Sequence, residues 1–243
     1  MKLPIYCISD NHFSIVDSEY EKNRRNKLFS LFEKIKTTGG TLIIGGDFFD
    51  FWFDYKSHHP NYTSLFSSLS NLSNKGIEIH YILGNHDYWD FGYFTKTFNG
   101  IVHHNDLHHI FPDGNKLLFT HGDGLLKSDV GYRLMRKIIR SQICIFLFKL
   151  LGQKIGYKIA QLISNTSAHY HHHDDKADTI ISEICSTMKK YTDQYNYILV
   201  GHYHQIGIFD INNTKIIFMG DWLNKFTVTI YNGEEWVQEE WNR

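Results

Sequence analysis

Five short apolar runs in this 243-residue chain each stop at a cluster of Asp, Asn, His and Gly. Ile5-Tyr6-Cys7-Ile8 leads to Asp10-Asn11-His12, and Leu42-Ile43-Ile44 leads to Gly45-Gly46-Asp47-Phe48-Phe49-Asp50. Ile79-His80-Tyr81-Ile82-Leu83 leads to Gly84-Asn85-His86-Asp87. Lys116-Leu117-Leu118-Phe119 leads to Thr120-His121-Gly122-Asp123, and Tyr197-Ile198-Leu199-Val200 to Gly201-His202-Tyr203-His204. Runs of this length, rich in β-branched and aromatic residues, read as buried strands. In an α/β sandwich the loops beyond strand ends carry the chemistry. One such ending means little, but five together point to a shared metal centre.

Helices are expected between the runs. Ser18 to Lys36 carries Leu28, Leu31, Phe32 and Ile35 at helical spacing and stops at Gly39-Gly40. A second helix is expected over Tyr62–Leu72 and a third over 88–99, with short strands near 101–104, 107–111 and 116–120. The β-α-β-α-β order predicts a largely parallel sheet with right-handed crossovers. A helix is expected over 175–192. The tail reads as strands near 197–200, 206–211, 214–219, 226–231 and 235–240, with turns at Asn212-Asn213 and Asn232-Gly233. These strands are expected to form a second sheet stacked on the first.

One segment breaks the pattern. Leu125 to Asn165 holds eight Lys and Arg against one acid, Asp129, in a chain of formal net charge −1. Val130, Leu134, Ile138 and Ile139 share one helical face, and Arg133, Arg136, Lys137 and Arg140 another. Gly152 interrupts the helix, and Ile155, Ile159, Leu162 and Ile163 begin the next. The expected organisation is therefore a core of residues 1–124 and 171–243 with a helical cap inserted at 125–170. A basic segment in an otherwise acidic chain suggests an anionic partner.

The candidate ligands are Asp10, His12, Asp47, Asn85, His121, His202 and His204. Asp10 and His12, like His202 and His204, are separated by one residue, a spacing that puts both on one side of an extended strand end. Asp47 follows two glycines that allow close approach to a cation. Two carboxylates, one amide oxygen and four imidazoles suffice for two adjacent ions if one carboxylate bridges. A thiolate-free N/O set favours Mn²⁺, Fe or Zn²⁺ over Ca²⁺. Two ions about 3.5–4 Å apart suit phosphoryl chemistry. Other histidines, including His58, His59, His103, His104, His108 and His109, read as loop or hairpin residues. No catalytic role is assigned to the cluster His169, His171, His172 and His173.

The ordered set Asp-x-His, Gly-Asp-x-x-Asp, Gly-Asn-His-Asp, His-Gly and Gly-His-x-His closely resembles the calcineurin-like metallophosphoesterases. That resemblance implies a four-layer α-β-β-α sandwich. It also implies one ion held by Asp10, His12, Asp47 and His204, and a second by Asp47, Asn85, His121 and His202. His86 would bind phosphate or protonate the leaving oxygen, Asp87 would orient and charge-stabilise His86, and Asp50 would support the site. Within the superfamily, the stretch from Gly46 to Lys56, Gly84-Asn-His-Asp-Tyr-Trp and His121-Gly-Asp-Gly-Leu look like the UDP-2,3-diacylglucosamine hydrolases of lipid A biosynthesis. Those enzymes imply cleavage of a pyrophosphate to UMP and a diacyl sugar 1-phosphate by a hydroxide held between two ions, Mn²⁺ being the expected metal. They also imply a lipid-gripping insertion where this chain has 125–165. Their best-known enterobacterial members carry arginine where this chain has His86.

Arg133, Arg136 and Arg140 are the candidate contacts for substrate or lipid headgroups. Alternatives left open are a metallophosphodiesterase or nucleotidase for another substrate, and a non-catalytic scaffold. The expected partners are a nucleotide-linked glycolipid and an anionic membrane surface, with no nucleic acid and no obligate protein partner. No signal peptide is apparent, the longest apolar run is too short to span a bilayer, and three scattered cysteines suit a reducing compartment. A cytoplasmic protein, peripheral on the inner face of the inner membrane, is expected.

Overall fold

The computed structural model describes residues 1–167 and 176–242. The His169–His173 cluster lies outside them, as do the side chains of Ile159, Leu162 and Ile163.

Two sheets stack face to face. The first has the order β11-β10-β1-β2-β3-β4, with β1 (Ile5–Ile8), β2 (Thr41–Ile44), β3 (Glu78–Ile82) and β4 (Ile101–His103) parallel. The second has the order β5-β6-β7-β9-β8, and its centre, β6 (Lys116–Thr120), β7 (Tyr197–Val200) and β9 (Thr214–Met219), is also parallel. β5 (Leu107–Ile110) and β8 (Ile206–Ile211) flank it antiparallel. Ile5, Cys7, Ile43 and Ile82 from the first sheet meet Leu117, Phe119, Leu199, Ile217 and Met219 from the second. Helices α1 (Glu19–Thr38), α2 (Thr63–Asn74) and α3 (Tyr93–Phe98) cover the outer face of the first sheet, and α6 (Ala177–Met188) that of the second. The expected α-β-β-α layering follows from this. Strands β1 and β2 are buried throughout because both of their faces are covered.

The tail departs from expectation. β8 and β9 join the second sheet, but β10 (Thr227–Tyr231) and β11 (Trp236–Glu240) form a hairpin that returns to the first sheet, β10 pairing antiparallel with β1. The crossing is made by residues 220–226, where Trp222 is fully buried against α1 and its indole donates to the Arg24 carbonyl. The third helix is also shorter than 88–99. Asp54 donates its N–H to the Trp89 carbonyl in a bridge between Phe53 and Trp89, which holds 88–91 extended, and Gly92 at φ 109 allows a helix only from Tyr93.

Helix α1 begins at Ser18, whose side chain accepts the Glu21 N–H, and ends at Gly39. Its buried face contains Glu21 and Arg24 beside four apolar residues, so a charged pair faces the core. The basic segment forms α4 (Val130–Ile139) and α5 (Gln142–Ser167), the latter broken at Gly152 as expected. Ile145 and Phe148 of α5 and Ile139 of α4 pack on Phe51, Phe53, Tyr55, Tyr88 and Trp89, so the aromatic loop after Asp50 is the seat of the insertion. Their outer side is bare: Val130, Leu134, Ile138, Ile143, Phe146, Leu147 and Leu150 are all more than half exposed. No helix among the described residues is long and apolar enough to cross a membrane.

Candidate metal centre

All five motif loops leave the C-terminal ends of parallel strands, β1, β2 and β3 in one sheet and β6 and β7 in the other, and they meet at one edge of the sandwich. The first two loops pair beyond their strands. Asp10 N–H donates to the Gly46 carbonyl at 3.0 Å and His12 N–H to the Asp47 carbonyl at 2.8 Å. The pairing does not leave Asp10 and His12 on an extended end. Asp10, His12, Asp47, His202 and His204 all have left-handed backbone, with φ of 53, 44, 50, 67 and 55°. The two-residue spacing therefore aims both side chains inward through consecutive tight turns rather than through strand pleat. Left-handed backbone costs a non-glycine residue about 1–3 kcal/mol and concentrates at functional sites.

Two donor sets result. In one, ligating atoms of Asp10, His12 and His204 lie within 4.8 Å of one another; in the other, those of Asp47, His121 and His202 do; a third group at the same spacing, His12, Asp50 and His86, overlaps the first at His12. Asn85 Oδ1 lies 3.2 Å from His121 Nε2 and joins the second set. Asp47 reaches both, its Oδ2 3.3 Å from His121 Nε2 and 3.7 Å from His12 Nε2. Its other oxygen, Oδ1, is taken by the His86 backbone N–H at 2.8 Å. Gly84 makes this approach feasible, because a Cβ there would stand 2.1 Å from Asp47 Oδ1.

The donors suit divalent ions. His121 Nδ1 donates to the Gly45 carbonyl at 2.9 Å, which leaves Nε2 pointing at the Asp47 and Asn85 oxygens. A nitrogen facing two oxygens requires a proton or a cation between them. The charges agree. Burial opposes it, but His121, His86 and His12 hold the Asp47 carboxyl well below its ordinary range. Burial is likewise outweighed at His121, which Asp47 lifts to about 10. Burial, reinforced by Asp47, raises Asp10 to about 7, and burial with the charge of His121 pushes His202 down to about 3. Two buried acids among four imidazoles thus hold one proton tightly where a cation would take its place.

His86 stands beside both sets, its ring edge-on to His12 with centroids 4.6 Å apart. Its orientation comes from Asp50, whose carbonyl accepts His86 Nδ1–H at 2.6 Å. The expectation that Asp87 orients His86 is corrected here. Asp87 Oδ1 accepts the N–H of Gly84 and Asp47, and Oδ2 the N–H of Phe48 and the Tyr81 hydroxyl. It clamps the backbone of two loops and contributes to His86 only through its charge.

Arg136 Nε and Arg140 Nη2 both reach Asp123 Oδ2, at 2.5 and 2.7 Å, and the Arg140 guanidinium lies over the Tyr88 ring. The two arginines thus fasten α4 to the loop of His121, while Arg133 is exposed. Tyr132, from the same helix, packs on His202 with ring centroids 5.2 Å apart. Sequence reasoning missed Ser9, which donates to Asp10 Oδ2 at 2.6 Å, and Asp221, whose Oδ2 lies 3.8 Å from His204 Nδ1. Neither carries a motif spacing; only Asp221, beside a Gly and a Trp after a strand, offered a signal.

A sequence model of the calcineurin-like phosphoesterases matches residues 3–206. Among curated proteins, the chain is 24% identical to the UDP-2,3-diacylglucosamine hydrolase of Porphyromonas gingivalis, with 98% of each chain covered. It is 28% identical to the Pseudomonas syringae protein of that name, covering 90% of this chain and 88% of the other. The corresponding figures for Haemophilus influenzae are 27%, with 91% of each.

Proposed function

The chain belongs to the calcineurin-like phosphoesterase family, and on that premise we propose that it cleaves the pyrophosphate of UDP-2,3-diacylglucosamine to UMP and 2,3-diacylglucosamine 1-phosphate. The observation that carries this reading is the reach of Asp47 Oδ2 to both donor sets, in a chain whose relatives across nearly its full length bear that hydrolase name. Asp10, His12, Asp47 and His204 hold one divalent ion, and Asp47, Asn85, His121 and His202 the other, Mn²⁺ first and Fe or Zn²⁺ as alternatives. When bound, such a pair supplies a water of lowered pKa and Lewis acidity toward phosphoryl oxygens.

The chain's own groups do the rest. Burial alone would lower the His86 pKa, but Asp47 and Asp50 outweigh it and hold the ring above its ordinary value. With Nδ1 spent on Asp50, the ring, when protonated, can offer Nε2–H to a phosphate oxygen or to the leaving group. Arg133, Arg136 and Arg140 line the approach from α4, the last two already oriented by Asp123. Residues 125–170 act as a cap. Its bare apolar side, in a segment that also exposes Lys137, Lys149 and Lys154, suits acyl chains and an anionic leaflet and supports a peripheral position on the cytoplasmic face of the inner membrane.

The test is hydrolysis of UDP-2,3-diacylglucosamine and of bis-p-nitrophenyl phosphate, each with Mn²⁺ and after chelation. Metal-dependent UMP release much faster than diester cleavage is expected. Diester cleavage alone would transfer the site to a phosphodiesterase or nucleotidase for another substrate.

A further inference from the structure

Arg24 is almost fully buried in α1, and its guanidinium ends against the Asn11-His12 loop of the metal centre. Its Nη2 donates to the Asn11 carbonyl, Nη1 to the His12 carbonyl at 3.4 Å, and Nε to the Trp222 carbonyl at 3.1 Å. Glu21 Oε2 balances the charge at 2.6 Å, and the Phe13 ring lies 5.0 Å away. The bonds are reciprocated: the Trp222 indole donates to the Arg24 carbonyl at 3.0 Å, and the Trp222 N–H to the Asp10 carbonyl at 3.2 Å.

The partners all belong to one half of the centre. Asn11 and His12 form the left-handed loop that presents Asp10 and His12. Trp222 follows Asp221, whose carboxylate faces His204 and whose Oδ1 gathers the N–H groups of Leu223, Asn224 and Lys225. The other half is held by different bonds, from His121 to Gly45 and from Gly84 to Asp87. We propose that Arg24 is a positioning residue that sets the affinity of the ion held by Asp10, His12, Asp47 and His204, and leaves the ion at Asn85, His121 and His202 largely unaffected. A planar fork with donors in fixed directions can hold three carbonyls from two loops, which an ammonium cannot. This inference rests on the two-ion reading above.

The experiment is Mn²⁺ titration of wild type and Arg24→Lys, followed by calorimetry, bound-metal analysis and electron paramagnetic resonance. Wild type is expected to bind two ions and show the exchange-coupled spectrum of a pair sharing Asp47. Arg24→Lys keeps the charge against Glu21 and is expected to bind one ion normally and the second about 10–100-fold more weakly. At equimolar metal it should show an uncoupled spectrum, with turnover restored by excess Mn²⁺. Should that variant not fold, Trp222→Phe removes the indole bond to Arg24 along with part of the buried ring volume, and should give the same selective loss in smaller degree. Two unchanged affinities, or equal weakening of both, in a folded variant would overturn the proposal. A wild type that binds a single ion would instead overturn the two-ion reading.

Discussion

The His86 backbone N–H binds Asp47 Oδ1 at 2.8 Å and so turns Oδ2 of the same carboxylate toward both donor sets. Bridging therefore depends on charge at a single oxygen. Asp47→Asn can keep the backbone bond through its amide oxygen, and Asn tolerates the left-handed φ of 50°. It should bind at most one ion and lose turnover to background, while its melting temperature stays close to that of wild type. Asp47→Ala should be equally inactive, with about 1–2 kcal/mol of added backbone strain. Two ions bound to an active Asp47→Asn enzyme would remove Asp47 from the bridging position.

His86 separates chemistry from metal binding. Its ring is oriented by a backbone carbonyl and is assigned to neither ion. His86→Gln should retain two bound Mn²⁺ and lose about 10²–10⁴-fold in kcat, the range for a general acid or anion-binding group. Loss of an ion from this variant would show that His86 is a ligand.

The convergence of the candidate ligands could be read from sequence because each follows its own strand in a short motif, and parallel strands bring their C-terminal ends to one edge whatever the loop detail. The layers were legible from the apolar runs and the helical spacing of Leu28, Leu31 and Ile35. What was hidden depends on backbone conformation and on contacts far apart in sequence. The left-handed turns at Asp10 and His12 leave no mark in residue type, since Asp and His tolerate this backbone better than most residues but adopt it in only a minority of places. Asp87 follows His86 directly, yet the turn sends its carboxylate to Gly84 and Phe48 on the opposite side. The return of β10 to the first sheet rests on Trp222 finding α1, a contact 198 residues apart.

The Asp123 latch should be measurable as local opening. Its carboxylate is buried, while the side chains of Arg136 and Arg140 are 38% and 17% exposed, so water can take over much of their solvation when it is removed. Asp123→Asn should loosen α4 by about 1–2 kcal/mol. Trypsin should then cut at Arg133, Arg136 or Lys137 several-fold faster than in wild type, with global melting little changed. Equal cleavage rates would mean that the aromatic seat alone holds the insertion.

The exposed apolar side of α4 and α5 predicts lipid contact that can be separated from catalysis. Ile143 and Leu150 are 75% and 67% exposed and belong to none of the donor sets. Replacing both with Glu should abolish cosedimentation with phosphatidylglycerol vesicles and leave Mn²⁺-dependent diester cleavage intact. Undiminished vesicle binding would place the membrane contact elsewhere.

A final prediction concerns the sheet edge away from the metals. His103 Nε2 lies 2.9 Å from His80 Nδ1, and His80 Nε2 lies 2.5 Å from Glu78 Oε1. Lys2, the N-terminal amine and His109 complete the charged surroundings. Burial, and then the neighbouring His80, push His103 from 6.5 down to about 4. The unfolded chain therefore takes up this proton near pH 6.5 and the folded chain only near pH 4. Between these values the unfolded state binds more protons, so the contribution of His103 is full above pH 6.5 and is lost as pH falls toward 4. Half-exposure screens the effect to on the order of 1–2 kcal/mol. His103→Gln cannot titrate, so between pH 7 and pH 4 it should lose that much less stability in urea than wild type. Because the metal ligands titrate alike in both proteins, the difference isolates the coupled His103–His80 pair, and parallel pH profiles would refute the lowered pKa of His103.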